Sequence, residues 1–190
     1  MAISTFILLG IVAVVLVYGV MIYNNLVRLK HSVSQSWANI DVLLKQRHDE
    51  LPKLVETCKQ YMKFEQETLE KVMQARSQVA TARMAGDVAA LGPAETQLRM
   101  GLGNLFAVAE AYPDLKASQT FQHLQTRITG LENTIADRRE YYNESVNNNN
   151  VRIEQFPDVV LARFFKFGPC DLLEFGEEET RDVDVKALFS

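Results

Sequence analysis

Apolar positions follow two different patterns along this chain. From Ala2 to Tyr23 they run together, with no charged side chain among them. From Leu26 to Val146 they recur at spacings of three and four, as on one face of an α-helix. As a helix, the first stretch spans roughly 33 Å, enough to cross the hydrocarbon core of a bilayer. Ile7, Leu8, Leu9, Ile11, Val12, Val15 and Leu16 make it apolar on every side and are predicted to form a membrane anchor. A cleaved signal peptide has a basic start, a shorter apolar run and a small-residue cleavage site. Here the chain starts MAISTF and the segment runs on into YNNLVRLK, so the anchor is predicted to be retained.

The second pattern divides into helices. Leu26, Leu29, Val33, Trp37, Ile40 and Leu44 form a first stripe, with no breaker between Gly19 and Pro52. The membrane helix is therefore expected to continue into the first bundle helix. QRHDELP reads as a boundary, with Asp49 as cap and Pro52 in the first turn of a new helix; a single helix kinked at Pro52 is the alternative. Leu51, Leu54, Val55, Cys58, Met62, Leu69, Val72, Met73 and Val79 form the next stripe, fading near Gly86, with Glu65 and Arg76 on its solvated edge. GDVAALGP reads as a connector, Pro93 as the first turn of a third helix and Glu95 as a charge at its positive end. Leu98, Leu102, Leu105, Phe106 and Ala109 follow, with Gly101 and Gly103 explained by a close helix contact or by flexibility. Tyr112-Pro113-Asp114 stops that helix. Ser118 is placed to cap a fourth, whose face is Phe121, Leu124, Ile128, Leu131, Ile135, Tyr142 and Val146. Running to Phe156, it would be about 57 Å long, ordinary for a bundle or coiled coil.

The expected fold is all-α: one N-terminal transmembrane helix continuing into an up-down antiparallel four-helix bundle with long helices. Its parts are the membrane helix (1–23), the bundle (24–157) and a tail (158–190) that is first aromatic, then acidic. Phe164, Phe165, Phe167 and Phe175 mark the aromatic part as a candidate interface. They would pack on the open end of the bundle, or meet a membrane or a second subunit. The end of the chain, GEEETRDVDVKALFS, is expected to be mobile.

Charge and chemistry narrow the function. A net charge of −4, with bases interspersed among acids, argues against nucleic acid as a partner. Arg28 and Lys30 are the bases nearest the membrane helix and place the bundle in the cytoplasm by the positive-inside rule. Cys58 and Cys170 form no metal or disulfide pattern, and Cys58 reads as a buried apolar position. The residues three before His31, His48 and His123 are Arg28, Lys45 and Thr120, so the Glu-x-x-His pairs of di-iron bundles are missing. His48-Asp49-Glu50 reads as capping and solvation. Zinc-protease, phosphate-loop, dinucleotide and nucleophile-elbow motifs are missing too. No cofactor, no metal and no enzymatic activity are expected.

Four segments carry a family resemblance. FAVAEAYPDLKA, LENTIADRREYYN, IEQFP with its following aromatic run, and YNNLVRLKHSVSQSWANIDVLLKQRHDELPKLVETCKQY resemble the LemA family of bacterial membrane proteins. The resemblance covers about residues 21–168, in the right order. It departs at Asn149, where the family pattern has tyrosine, within an Asn147–Asn150 run, and at Thr134, where it has arginine. It implies an N-terminal membrane helix and an all-α bundle, and it transfers no catalytic site. The combined expectation is a non-enzymatic inner-membrane protein, held in the lipid bilayer, that self-associates as a homo-oligomer and serves a structural or membrane-organising role. A membrane-tethered signalling or regulatory adaptor for a protein partner is the alternative.

Overall fold

A computed structural model describes residues 2–174 of this chain. These form six α-helices and, among the described residues, no strand. They are α1 (Ala2–Tyr61), α2 (Gln66–Ala85), α3 (Val88–Ala109), α4 (Pro113–Ala117), α5 (Gln119–Glu154) and α6 (Asp158–Phe164). The chain divides into two compact units. Of the described residues, one unit holds 2–40 and 138–172, the other 41–137 and 173–174, so α1 and α5 each contribute to both.

In the second unit most positions of the apolar stripes are buried, with Met73 and Phe106 half-buried. Leu44, Leu51, Leu54, Val55 and Cys58 of α1 and Met62 just past it are covered, as are Leu69, Val72 and Val79 of α2 and Leu98, Leu102 and Leu105 of α3. The part of α5 in this unit buries Phe121, Leu124, Ile128, Leu131 and Ile135. Burial pushes the Cys58 thiol up to about 12, so it stays protonated and inert at neutral pH. α2 and α3 form an antiparallel hairpin, turned by Gly86 at φ 66° and Asp87. The left-handed φ at Gly86 suits a residue without Cβ. Ser118 stands before α5 with extended backbone, and its Oγ accepts from the Phe121 amide at 3.5 Å, the long end of such contacts.

Pro52 does not break α1, contrary to the boundary expected at QRHDELP; His48, Asp49 and Glu50 lie inside the helix. A proline at 52 leaves the carbonyl of residue 48 without its helical donor. Here Arg76 Nε of α2 donates to the His48 carbonyl at 2.9 Å. Arg76 Nη2 also lies 2.7 Å from His48 Nε2. Arg76 is thus half-buried with a defined partner, not a solvated flank. A guanidinium only donates, so His48 Nε2 accepts and the neutral ring carries its proton on Nδ1. Burial, then the Arg76 charge, holds His48 below its ordinary pKa. The actual break falls at Met62–Glu65, which contains neither glycine nor proline. It lies between Met62 and Leu69, both buried, so core burial on either side decides the turn.

The third helix also starts earlier than the sequence suggests, at Val88. Asp87 caps it by accepting from the Ala90 amide at 2.9 Å. Pro93 sits inside, and the residue before it is Gly92, whose missing Cβ relaxes the clash that normally bars the α region there. Gly92 has a second reason to be bare: a Cβ would stand 1.8 Å from the Glu174 carbonyl oxygen, where the returning chain crosses α3 and buries Leu173. Gly101 needs no such closeness, since a Cβ there would meet Val72 at an ordinary 3.5 Å, and Gly103 faces open space.

Glu95 is not a surface charge at a helix end. It is 1% exposed and receives Arg47 Nη2 at 2.5 Å, while Arg47 Nη1 donates to Glu132 at 2.6 Å. Arg99 lies 3.7 Å from Glu132 on the rim. Burial works to lower the pKa of Arg47, but its two carboxylates outweigh burial and hold the guanidinium charged. Burial pushes the Glu95 carboxyl above its usual range, and Arg47 offsets part of that. Arg47 Nε and Glu95 Oε2 have no partner in this cluster.

Candidate membrane interface

The first unit carries the exposed apolar surface of α1. Its part of α1 is covered only from Ile22 onward: Ile7, Leu8, Leu9, Ile11, Val12, Val15 and Leu16 are all exposed. The most apolar 18 residues of this helix have a mean hydropathy of 2.8, and the helix is long and apolar enough to cross a membrane. A core helix of a water-soluble domain would bury such a surface, whereas here only 6% of that stretch is buried. Arg28 and Lys30, the expected topology residues, are exposed two turns beyond Ile22.

Where the apolar run ends, a small core begins. Ile22 and Leu26 of α1 pack with Ile153 of α5 and Ala162 of α6, and Leu161 and Phe167 lie against them. α6 follows a turn through a cis Phe156–Pro157 peptide, and its buried Asp158 accepts from Arg152 Nε at 3.0 Å. The Tyr23 ring meets Phe165 at 4.7 Å and Phe167 at 5.9 Å, and Phe164 meets Phe165 at 4.9 Å, all edge-on. These geometries suit ring quadrupoles. Phe167 is half-buried, Phe165 is about half exposed, and Phe164 projects outward at 79% exposure. Phe175, the fourth aromatic of the expected interface, lies outside the described residues, as does the acidic end of the chain.

The segment after Phe165 is fastened to α5 by side-chain amides. Asn150 accepts from the Cys170 amide and donates to the Cys170 carbonyl, each at 2.9 Å. Buried Asn149 donates to the Gly168 carbonyl at 3.4 Å. Tyr142 donates to the Asp171 carbonyl at 2.9 Å and its ring lies tilted against Trp37 at 5.5 Å; burial pushes its phenol up to about 12. The last two asparagines of the run, Asn149 and Asn150, are therefore a clamp. Four asparagines in a helix, where each is a poor former, are the one sequence signal of it. Among the described residues, no cluster of three or more His, Cys, Asp or Glu side chains is arranged to hold a metal ion.

The sequence profile of the LemA family matches residues 36–187. The chain belongs to the LemA family. Protein LemA of Metamycoplasma hominis is 29% identical to this LemA-family chain, over 87% of it and 74% of the relative. Magnetosome protein MamQ 2 of Paramagnetospirillum magneticum is 24% identical, over 86% and 68% respectively. Magnetosome protein MamQ of Magnetospirillum gryphiswaldense is 32% identical over 84 residues, covering 44% of the LemA-family chain and 30% of the relative.

Proposed function

We propose that this chain is a non-enzymatic protein anchored in the bacterial inner membrane, with its helical part in the cytoplasm, and that copies associate to give it a structural or membrane-organising role. The observation that carries this reading is the exposed, charge-free start of α1, joined without a helix break to residues that build a packed core. Exposed Arg28 and Lys30 support the orientation, since bases flanking a span favour the cytoplasmic side. Short links and the α2–α3 hairpin support an up-down antiparallel packing of the four long helices α1, α2, α3 and α5. Confinement to a bilayer raises the effective concentration of copies, so weak contacts count. Gly10 is followed four residues on by Val14, so the membrane helix lacks a Gly-x-x-x-Gly pair, and the contacts are placed on the exposed side of α5, where Tyr141 and Val151 stand out. Relatives named for a cellular structure, the magnetosome, favour a structural role over a reaction.

The test is the mass of the full-length protein in mild detergents and lipid discs. A defined oligomer is the expected result; a monomer in every condition at high concentration sinks self-association. One feature favours the adaptor reading instead: a groove of about 600 Å³ lined by Val55, Met62, Leu69 and Met73, with Lys59 and Lys63 beside them. Flexible methionines suit a surface that accepts partner side chains. A monomer that captures a partner through this groove is the outcome that reading requires.

A further inference from the structure

We propose that α6 and the Arg163-Phe164-Phe165-Lys166 turn form a second, peripheral contact with the membrane, one that lies on an anionic phospholipid surface beside the emerging α1. The proposal rests on the anchor reading above. Its first ground is depth. Tyr23 closes the apolar run of α1, just before Asn24 and Asn25, and its ring touches Phe165 and Phe167. Ile22, one residue earlier, is sealed by Ala162 of α6. With α1 across a bilayer, this aromatic cluster stands where hydrocarbon gives way to headgroups, the level that aromatic rings favour.

The second ground is the face that α6 leaves open. Leu161 and Ala162 point into the core, whereas Val160 and Phe164, four residues apart and so on one face, are 58% and 79% exposed. Phe156, just before the helix, is 84% exposed. Large apolar side chains this exposed beside an apolar helix extend its apolar surface sideways. The third ground is charge. Arg163 and Lys166 flank the two phenylalanines, are exposed, and form no ion pair among the described residues. The acid of α6, Asp158, is buried against Arg152 and presents nothing outward, while Glu154, the last residue of α5, is exposed. Phenylalanines flanked by bases match a surface of phosphates over acyl chains. A second protein copy would have to supply both an apolar pocket and acids at the same spacing.

The experiment uses the full chain in lipid discs, with Trp37→Phe removing the native tryptophan fluorescence. Phe164→Trp reports on the proposed contact and Leu16→Trp on the anchor. Lipids brominated near the headgroup end of the acyl chains quench tryptophans that reach them. In discs with about a third anionic lipid, Phe164→Trp should lose about half its emission. The loss should shrink in discs of zwitterionic lipid alone, and also when Arg163→Gln and Lys166→Gln are added. Unquenched Phe164→Trp beside quenched Leu16→Trp overturns this contact and leaves the anchor standing. If Leu16→Trp is also unquenched, the anchor reading itself fails. Quenching that ignores lipid charge overturns the role of the two bases and the proposal as stated. An emission change that appears only when several copies share a disc assigns the face to a second copy and overturns the lipid contact.

Discussion

Arg47 shows how burial sets what a charged residue does. It is 1% exposed between Glu95 and Glu132. A buried ion pair recovers little net stability, because desolvation offsets the attraction, but removing one partner leaves a buried charge behind. Arg47→Met should therefore lower unfolding stability by about 3 kcal/mol. The combined Arg47→Met, Glu95→Leu and Glu132→Leu variant should recover most of that loss, as urea melts of the series would establish. Equal loss in the single and the combined variant would mean that the cluster acts by shape alone. His48 gives a pH signature. Its folded pKa is depressed by burial and by Arg76, below an ordinary 6.5. Its contribution is therefore present in full above pH 6.5, where neither state binds the proton. It is lost as pH falls toward the lowered folded value, because the unfolded chain takes up the proton first. Melting temperature should drop between pH 7 and 5, and His48→Gln should flatten that drop.

Among the elements, α1 passes through Pro52 with help from a distant side chain. Pro52 removes a helical hydrogen bond, and the carbonyl it frees at His48 is taken by Arg76 Nε. A donor withdrawn from a part-buried carbonyl costs about 1–3 kcal/mol. Arg76→Met should cost about that much. In Pro52→Ala, residue 52 again donates to the His48 carbonyl, so Arg76→Met should cost less in that background. A double-mutant cycle on chemical denaturation measures the difference, and additive effects would refute the coupling. The apolar stripes were legible in the sequence because periodicity is local: seven positions read on α5, from Phe121 to Val146, are all buried. The break at Met62–Glu65 was not legible, because no glycine or proline marks it.

For the whole molecule, the anchor and its flanking bases carry the prediction. If Arg28 and Lys30 set orientation, replacing both with glutamine should yield a mixed population, read by a C-terminal reporter that works only on one side of the membrane. Unchanged orientation would move the determinant to the later bases, Lys45 among them. Of the candidate interface residues, Phe164 projects outward, while Phe165 and Phe167 both meet the Tyr23 ring, Phe165 half exposed and Phe167 half-buried. Arg163 and Lys166 gained meaning only once α6 was seen to turn Val160 and Phe164 outward.

The sequence by itself determined the helical class, the apolar span, the buried stripes, the glycine that ends α2 and the serine that starts α5. All of these depend on neighbours within a turn or two, through side-chain periodicity, backbone freedom and local capping. The tertiary structure decided where α1 stops, how α3 starts around Gly92 and Pro93, and what Arg47, Arg76 and the asparagines do. Arg47 finds its carboxylates 48 and 85 residues away, Arg76 its carbonyl 28 away, and Asn150 its backbone partner 20 away. A charge or amide carries no periodic signal of its partner. Whether it ends in solvent or in a buried pair is settled only when packing brings the two together and removes the water between them.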